Sequence, residues 1–116
     1  MTIAAKRAAQ RARERIQTIR TSVAQIELLC SGTLSERMMK CGKPHCGCAT
    51  DPDARHGPYF EWIHMRAGKP THRYLTRQRA LMVRQAIENY RRIKKLLREW
   101  EDNTERLIDA EIPPQS

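Results

Sequence analysis

Apolar residues recur every three or four positions near the start of the chain. The recurring positions are Ala5, Ala9, Ala12, Ile16, Ile19, Val23, Ile26 and Cys30. Alternating steps of three and four place these side chains on one stripe of a helix, as in the heptad repeat of a coiled coil. The spacing predicts a helix over residues 3–30 that ends at Ser31 and Gly32.

A second stripe of the same kind runs through the last third of the chain. Its positions are Val83, Ala86, Tyr90, Ile93, Leu97, Trp100, Thr104 and Leu107, and Ile87, Leu96 and Ile108 widen it. It predicts a helix over residues 77–109 and a flexible tail over 110–116, which contains Pro113 and Pro114. Two stripes of similar length favour an antiparallel, coiled-coil-like helical pair. The same pattern is compatible with pairing between chains, in a dimer or a four-helix bundle.

The segment between the helices, residues 31–76, has the composition of a small sheet. Residues 59–66 and 71–76 are rich in aromatic and β-branched side chains and predict a hairpin, and 34–40 predicts a third, shorter strand. Alternation along the first hairpin strand separates Tyr59 and Glu61 from Phe60 and Trp62. We expect Tyr59, Phe60 and Trp62 to fill a small core rather than stack on unpaired bases.

Three thiols lie within eight residues, at Cys41, Cys46 and Cys48, and His56 follows eight positions later. Thiolates are soft anions that suit zinc, and the intervening glycines and proline supply turns that let the sulfurs converge. The spacing therefore predicts a structural Zn²⁺ site of three cysteines and His56.

The fourth ligand is the least constrained part of this site. His56 fits best, and His45, His64, His72 and Cys30 are alternatives.

A disulfide is disfavoured because Cys46 and Cys48 are too close in sequence to bridge comfortably. No nucleophile and base stand at a catalytic spacing, so we expect that the protein is not an enzyme.

The chain has 116 residues, with 22 Lys and Arg against 13 Asp and Glu, a net charge of +9. This excess favours a polyanionic partner, nucleic acid first and an anionic membrane surface second. No apolar run of about 18 residues predicts a membrane span. If the helices pair antiparallel, the acidic end of the second lies beside the basic start of the first. The uncompensated charge is then expected on Arg37, Lys40, Lys43, Arg55, Arg66, Lys69, Arg73, Arg77, Arg79, Arg84, Arg91, Arg92 and Lys95, with Lys94 and Arg98 beside them.

Several short motifs resemble an uncharacterised family of small bacterial and archaeal proteins. They are Gly32-x-Leu34, Cys41-Gly-Lys-Pro-x-Cys46-x-Cys48-Ala49, His56-Gly-Pro-Tyr59, Gly68-Lys69, Arg73-Tyr74 and Asn89-Tyr90-Arg91. The resemblance covers residues 32–108 and leaves the first helix largely outside. It implies that the cysteines and His56 belong to one structural unit. Genes of this family often lie near transposases, so it also implies a link to mobile DNA.

The sequence thus predicts one α+β domain over residues 1–116: a pair of long helices flanking a small zinc-pinned sheet. The predicted function is nucleic-acid binding, with DNA favoured over RNA, as an accessory factor or regulator in the cytoplasm or nucleoid. Its expected protein partner is a transposase or another mobile-element protein, and the helices can make it a homo-oligomer. The alternative is a zinc-stabilised helical adaptor for protein interaction or oligomerisation.

Overall fold

Residues 2–112, which the computed structural model describes, form an α+β structure with two helices and three antiparallel strands. The elements are α1 (Ile3–Ala24), β1 (Thr33–Met39), β2 (His56–Arg66), β3 (Lys69–Leu75) and α2 (Arg77–Glu111). Two 3₁₀ turns, Gly47–Ala49 and Pro52–Ala54, lie between β1 and β2. The predicted tail begins inside α2, which continues through Glu111, and residues 113–116 lie outside the described part. Neither helix of that part has the length and apolarity needed to cross a membrane.

α1 is shorter than the sequence pattern predicts. The Thr2 hydroxyl oxygen accepts a hydrogen bond from the Ala5 N–H at 3.0 Å and caps the start of the helix. The helix ends at Ala24, so the prediction that it extends to Cys30 is wrong. Instead, the Cys30 N–H donates to the Ala86 carbonyl at 3.3 Å. Because that bond is not a helical one, Cys30 lies outside the helix, and the apolar spacing of three and four residues continues past the end of α1.

The described residues divide into two compact units, one of 2–27 with 89–112 and the other of 28–88. In the first unit, two ion pairs join α1 to α2: Arg13 to Glu111 at 2.5 Å, and Arg15 to Glu99. The stripe of α1 is its buried side, as predicted, with Ala12 almost fully covered.

The buried side of α2 differs from its predicted stripe in the first unit. Leu97 is 44% exposed, whereas Leu96 is half-buried and Asn103 is buried. Inclusion of Leu97 in the buried stripe is therefore wrong. The Asn103 side-chain amide donates to the Glu99 carbonyl at 2.8 Å, which satisfies one of its donors at a buried position.

The second unit contains the sheet, in the order β1-β2-β3. A two-residue turn joins β2 to β3, with Ala67 at φ 52° and Gly68 at φ 77°, as a type I′ turn requires. Pro70 is tolerated because β3 is an edge strand. The Thr76 hydroxyl oxygen accepts a hydrogen bond from the Arg79 N–H at 3.3 Å, which fixes the start of α2 where the sequence predicts it.

The two sheet faces differ in burial. On one face Phe60 is buried, and the Trp62 ring stacks on His64 with centroids 3.8 Å apart. The indole N–H of Trp62 also donates to the Ser31 carbonyl at 3.0 Å. On the other face Tyr59 is 43% exposed, so its expected place in the core is wrong.

Candidate metal centre

The four predicted ligands come from the connection between β1 and β2. Cys41 follows β1, Cys46 precedes the first 3₁₀ turn, Cys48 lies within it, and His56 opens β2. Met39 pairs with His56 across the two strands, so Cys41 leaves the sheet close to the histidine. The loop then returns through the 3₁₀ turn and brings the other two thiols to the same place.

The side chains of Cys41, Cys46, Cys48 and His56 converge. Their ligand atoms all lie within 4.8 Å of one another. Cys41 Sγ is 3.5 Å from Cys48 Sγ, and Cys46 Sγ is 3.2 Å from His56 Nε2. In a tetrahedral site with Zn–S bonds of about 2.3 Å, neighbouring sulfurs are about 3.8 Å apart. The observed sulfur–sulfur distance of 3.5 Å and the upper limit of 4.8 Å lie on either side of that value. The cluster is therefore consistent with a metal site.

Local backbone bonds hold the loop in this form. The Ala49 N–H donates to the Cys46 carbonyl at 3.0 Å, and the Asp51 N–H donates to the Gly47 carbonyl at 2.9 Å. Gly42 has φ +81°, a conformation that ordinary side chains disfavour. These bonds lie within the loop, so much of the cluster's geometry is local.

The thiols differ in their acid–base environment. The pKa of Cys46 is lowered, first by a hydrogen bond from the Cys48 backbone and then by the side chains of Cys48 and Cys41. For Cys48, the Cys41 N–H bond at 3.3 Å stabilises the thiolate. Burial and the neighbouring thiols outweigh that bond and raise the pKa of Cys48. A metal ion binds the thiolate form, so the cluster already favours ionisation at one of its sulfurs.

The alternative fourth ligands lie elsewhere. His45 is exposed within the loop, and His64 is stacked on Trp62. His72 Nδ1 lies 3.8 Å from a carboxylate oxygen of Glu61. Cys30 Sγ is 3.9 Å from the Val83 carbonyl, and burial raises the pKa of this thiol. None of these four belongs to the cluster that the described residues form.

The predicted nucleic-acid-binding residues are all exposed. Ten of them lie in the unit of residues 28–88: Arg37, Lys40, Lys43, Arg55, Arg66, Lys69, Arg73, Arg77, Arg79 and Arg84. Arg91, Arg92 and Lys95 lie in the other unit. Their gathering onto one surface stays a prediction.

Tyr74 belongs to the Arg73-Tyr74 motif of the family resemblance, but sequence reasoning gave it no functional role. Its side chain is 66% exposed, and its hydroxyl is hydrogen-bonded to Glu61. Register places it directly across from Glu61. Alternation along β3 was the signal that could have placed Tyr74 on one face of the sheet. Pairing it with Glu61 also requires the register between β2 and β3, which the sequence does not give.

Comparison with known proteins gives one match. Searches of curated proteins and of solved structures return none. A profile of a domain of unknown function, DUF6788, matches residues 8–85, which include most of α1, the whole sheet and the cysteine cluster. The match agrees with the predicted resemblance to an uncharacterised family, although it begins and ends earlier than residues 32–108. The chain belongs to the family of the domain of unknown function DUF6788.

Proposed function

We propose that this chain is a small nucleic-acid-binding protein whose sheet is fixed by a structural zinc ion. One observation carries the binding proposal: the unit of residues 28–88 has ten lysines and arginines, all exposed, against five acids. None of the ten forms an ion pair within the described residues. Exposed cations without carboxylate partners are free to contact phosphates.

The charge of the other unit is compensated differently. Residues 89–112 carry six basic and six acidic side chains. Two arginines of α1, Arg13 and Arg15, already pair with Glu111 and Glu99. As residue numbers rise along α1 they fall along α2, and these pairs support the proposal that the helices run antiparallel. Residues 2–27 add six basic side chains and two acidic ones, so this unit has a net charge of +4, and residues 28–88 have +5. The two ion pairs of arginine with glutamate both lie in the first of these units.

Zinc is the ion that the donor set favours. Three sulfurs and an imidazole nitrogen are the soft and borderline ligands that select Zn²⁺ over Mg²⁺ or Ca²⁺. Cys41, Cys46, Cys48 and His56 would hold it and complete a four-ligand shell, so the ion would leave no position for a substrate. Bound zinc would tie the end of β1 to the start of β2. Its work is therefore structural, and the proposed activity lies outside the cluster.

DNA is the proposed target, and the cell biology of mobile elements is the proposed setting. This choice rests on the resemblance to a family whose genes often neighbour transposases. An accessory factor or regulator fits a protein whose exposed cations give affinity for phosphates without base choice. RNA is the alternative polyanion, and the oligonucleotide experiments below include it.

A salt titration tests the binding proposal. If about five phosphates are neutralised, the logarithm of affinity should fall against the logarithm of salt concentration with a slope of about −4 to −5. Arg66→Gln with Lys69→Gln removes two exposed cations at the hairpin. This pair of changes should reduce the slope by about 2.

Arg13→Gln is the matched control, because this arginine is already paired with Glu111. Its slope should equal that of the unchanged protein. Absence of binding at low salt would refute the proposed function. A salt slope that is unchanged by the two hairpin substitutions but reduced by Arg13→Gln would refute it as well.

One observation favours the adaptor as the second candidate function. Leu97 and Ile108 are 44% and 55% exposed on α2, and with Trp100 and Thr104 they line a shallow apolar groove. We call these four residues the apolar groove. Exposed apolar side chains at helical spacing suit a partner helix.

The charges beside the apolar groove suit a second copy of this chain. Along α2, Lys94 and Arg98 come before the centre of the groove, and Glu101 and Glu105 come after it. An antiparallel second copy would bring opposite charges together, whereas a parallel copy would oppose like charges. Sedimentation measures the outcome: a dimer lost in Leu97→Asp supports the adaptor, and a monomer at all concentrations eliminates self-association.

A further inference from the structure

The less buried face of the sheet carries two tyrosines and an arginine from three different strands. Antiparallel pairing places Arg37 of β1 across from Tyr59 of β2, and Glu61 of β2 across from Tyr74 of β3. His72 shares this face because it alternates with Tyr74 along β3. We call these five residues the tyrosine face.

The rings of the tyrosine face are accessible. Tyr59 is 43% exposed and Tyr74 is 66% exposed, whereas Phe60, on the opposite face, is 6% exposed. Aromatic side chains are large contributors to core and interface energy when they are covered. Two open rings on adjacent strands are therefore a surface suited to an aromatic or planar ligand.

A buried carboxylate organises this face. Glu61 is 8% exposed, and the hydroxyl of Tyr74 is hydrogen-bonded to it. His72 Nδ1 lies 3.8 Å from a Glu61 oxygen, on the same face. The bond to Glu61 raises the pKa of Tyr74, and the charge of Glu61 adds to that effect, while nearby Arg37 opposes it. The network restricts the Tyr74 ring before any ligand arrives, which reduces the entropy that binding must remove.

We propose that the tyrosine face binds single-stranded nucleic acid, with Tyr59 and Tyr74 each stacking on one unpaired base and Arg37 contacting the backbone. This inference rests on the proposed function and assigns it a site and a strand state. The ten exposed cations of residues 28–88 supply the attraction for the phosphates that accompany the bases.

Geometry favours a single strand over a duplex. Tyr59 and Tyr74 are diagonal neighbours in the sheet, and such positions are about 7–8 Å apart. Stacked bases of a duplex rise by about 3.4 Å along each strand. Two rings at the wider spacing can each receive a base only where the bases are unstacked, as in single strands and loops. The same chemistry serves DNA and RNA.

Anisotropy of labelled oligonucleotides tests the proposal. The probes are mixed-sequence single strands of about 16 nucleotides, one of DNA and one of RNA, and the corresponding DNA duplex. Tyr59→Ala and Tyr74→Ala should each weaken single-strand binding by about 5- to 150-fold, as loss of one stacked base does. Duplex affinity should change by less than about twofold, because duplex bases are not available for stacking.

Met65→Ala is the matched control. Met65 alternates with Tyr59 and Glu61 on the same face and is 62% exposed, but it has no ring. Its single-strand affinity should equal that of the unchanged protein. Tyr74→Phe keeps the ring and removes the bond to Glu61, so it should retain most of the affinity that Tyr74→Ala loses. Circular dichroism of each variant verifies that the fold is kept.

Photo-crosslinking to a bromouracil-substituted strand locates the contact without any substitution in the protein. The proposal predicts crosslinked peptides from β2 and β3 that include Tyr59 or Tyr74. Crosslinks confined to α1 or α2 would overturn it, as would single-strand affinities unaffected by either alanine change in folded protein. If the unchanged protein binds none of the probes at low salt, the proposed function itself fails. A larger affinity for the RNA or the DNA strand identifies the source of the ligand.

Discussion

Gly32→Ala is expected to destabilise the unit of residues 28–88 strongly. Gly32 has φ +115°, and an added Cβ would lie 2.3 Å from the Ile63 carbonyl oxygen and 2.9 Å from the Trp62 indole nitrogen. Ordinary contact begins at 3.4 Å, so the residue that leads into β1 must move away from β2 by roughly 1 Å. Backbone strain of about 1–3 kcal/mol and overpacking of about 1–3 kcal/mol together predict a loss of about 4 kcal/mol.

Gly68→Ala separates these two contributions. Gly68 has φ +77°, but an added Cβ would meet nothing within 4 Å. This control should lose only the conformational part, about 1–2 kcal/mol. Urea unfolding of zinc-loaded protein measures both, followed by Trp62 fluorescence in a Trp100→Phe background so that the signal comes from residues 28–88. If Gly32→Ala costs no more than Gly68→Ala, the close approach of Gly32 to β2 is refuted.

Three further changes test other parts of the structure. Ala67→Asn should stabilise the unit by about 0.5–1 kcal/mol in the same urea assay, because Asn tolerates φ 52° better than Ala; a loss would argue against the type I′ turn. The raised pKa of Tyr74 means that its bond to Glu61 stabilises the fold fully below about pH 10 and is lost as pH rises through the folded value. Phenolate absorbance should therefore rise at a lower pH in Glu61→Ala than in the unchanged protein, and an unchanged curve would exclude the bond. Asn103→Leu should raise the free energy of unfolding by about 1 kcal/mol, since it replaces a buried amide with an apolar side chain. A lower melting temperature would show that the amide makes more hydrogen bonds than the one to the Glu99 carbonyl.

Elements whose signals are local were predicted well. The helix spacing predicted the start of α2 at Arg77, where the Thr76 hydroxyl caps it, and two short runs of aromatic and β-branched residues around Gly68 predicted the hairpin. The four residues of the cysteine cluster were also predicted together, since closely spaced thiols and glycines constrain where the sulfurs can point.

Features that depend on non-local contacts were not predicted. Spacing alone cannot tell that α1 ends at Ala24, because Ile26 and Cys30 continue the same rhythm in a non-helical segment. The buried side of α2 is shifted from Leu97 toward Asn103, and a polar residue at a buried position gives no apolar signal. Tyr59 was assigned to the core by its aromatic character, but the strand pairing determines which face it occupies.

Zinc content per chain tests the central claim, that the cysteine cluster fixes the sheet through a metal ion. Elemental analysis of the purified protein should give one zinc per chain, lost in Cys46→Ser and strongly reduced in His56→Ala, with His45→Ala as a control that keeps it. One zinc per chain that survives His56→Ala would contradict the fourth ligand, and a folded protein with no zinc or other metal would contradict the claim itself.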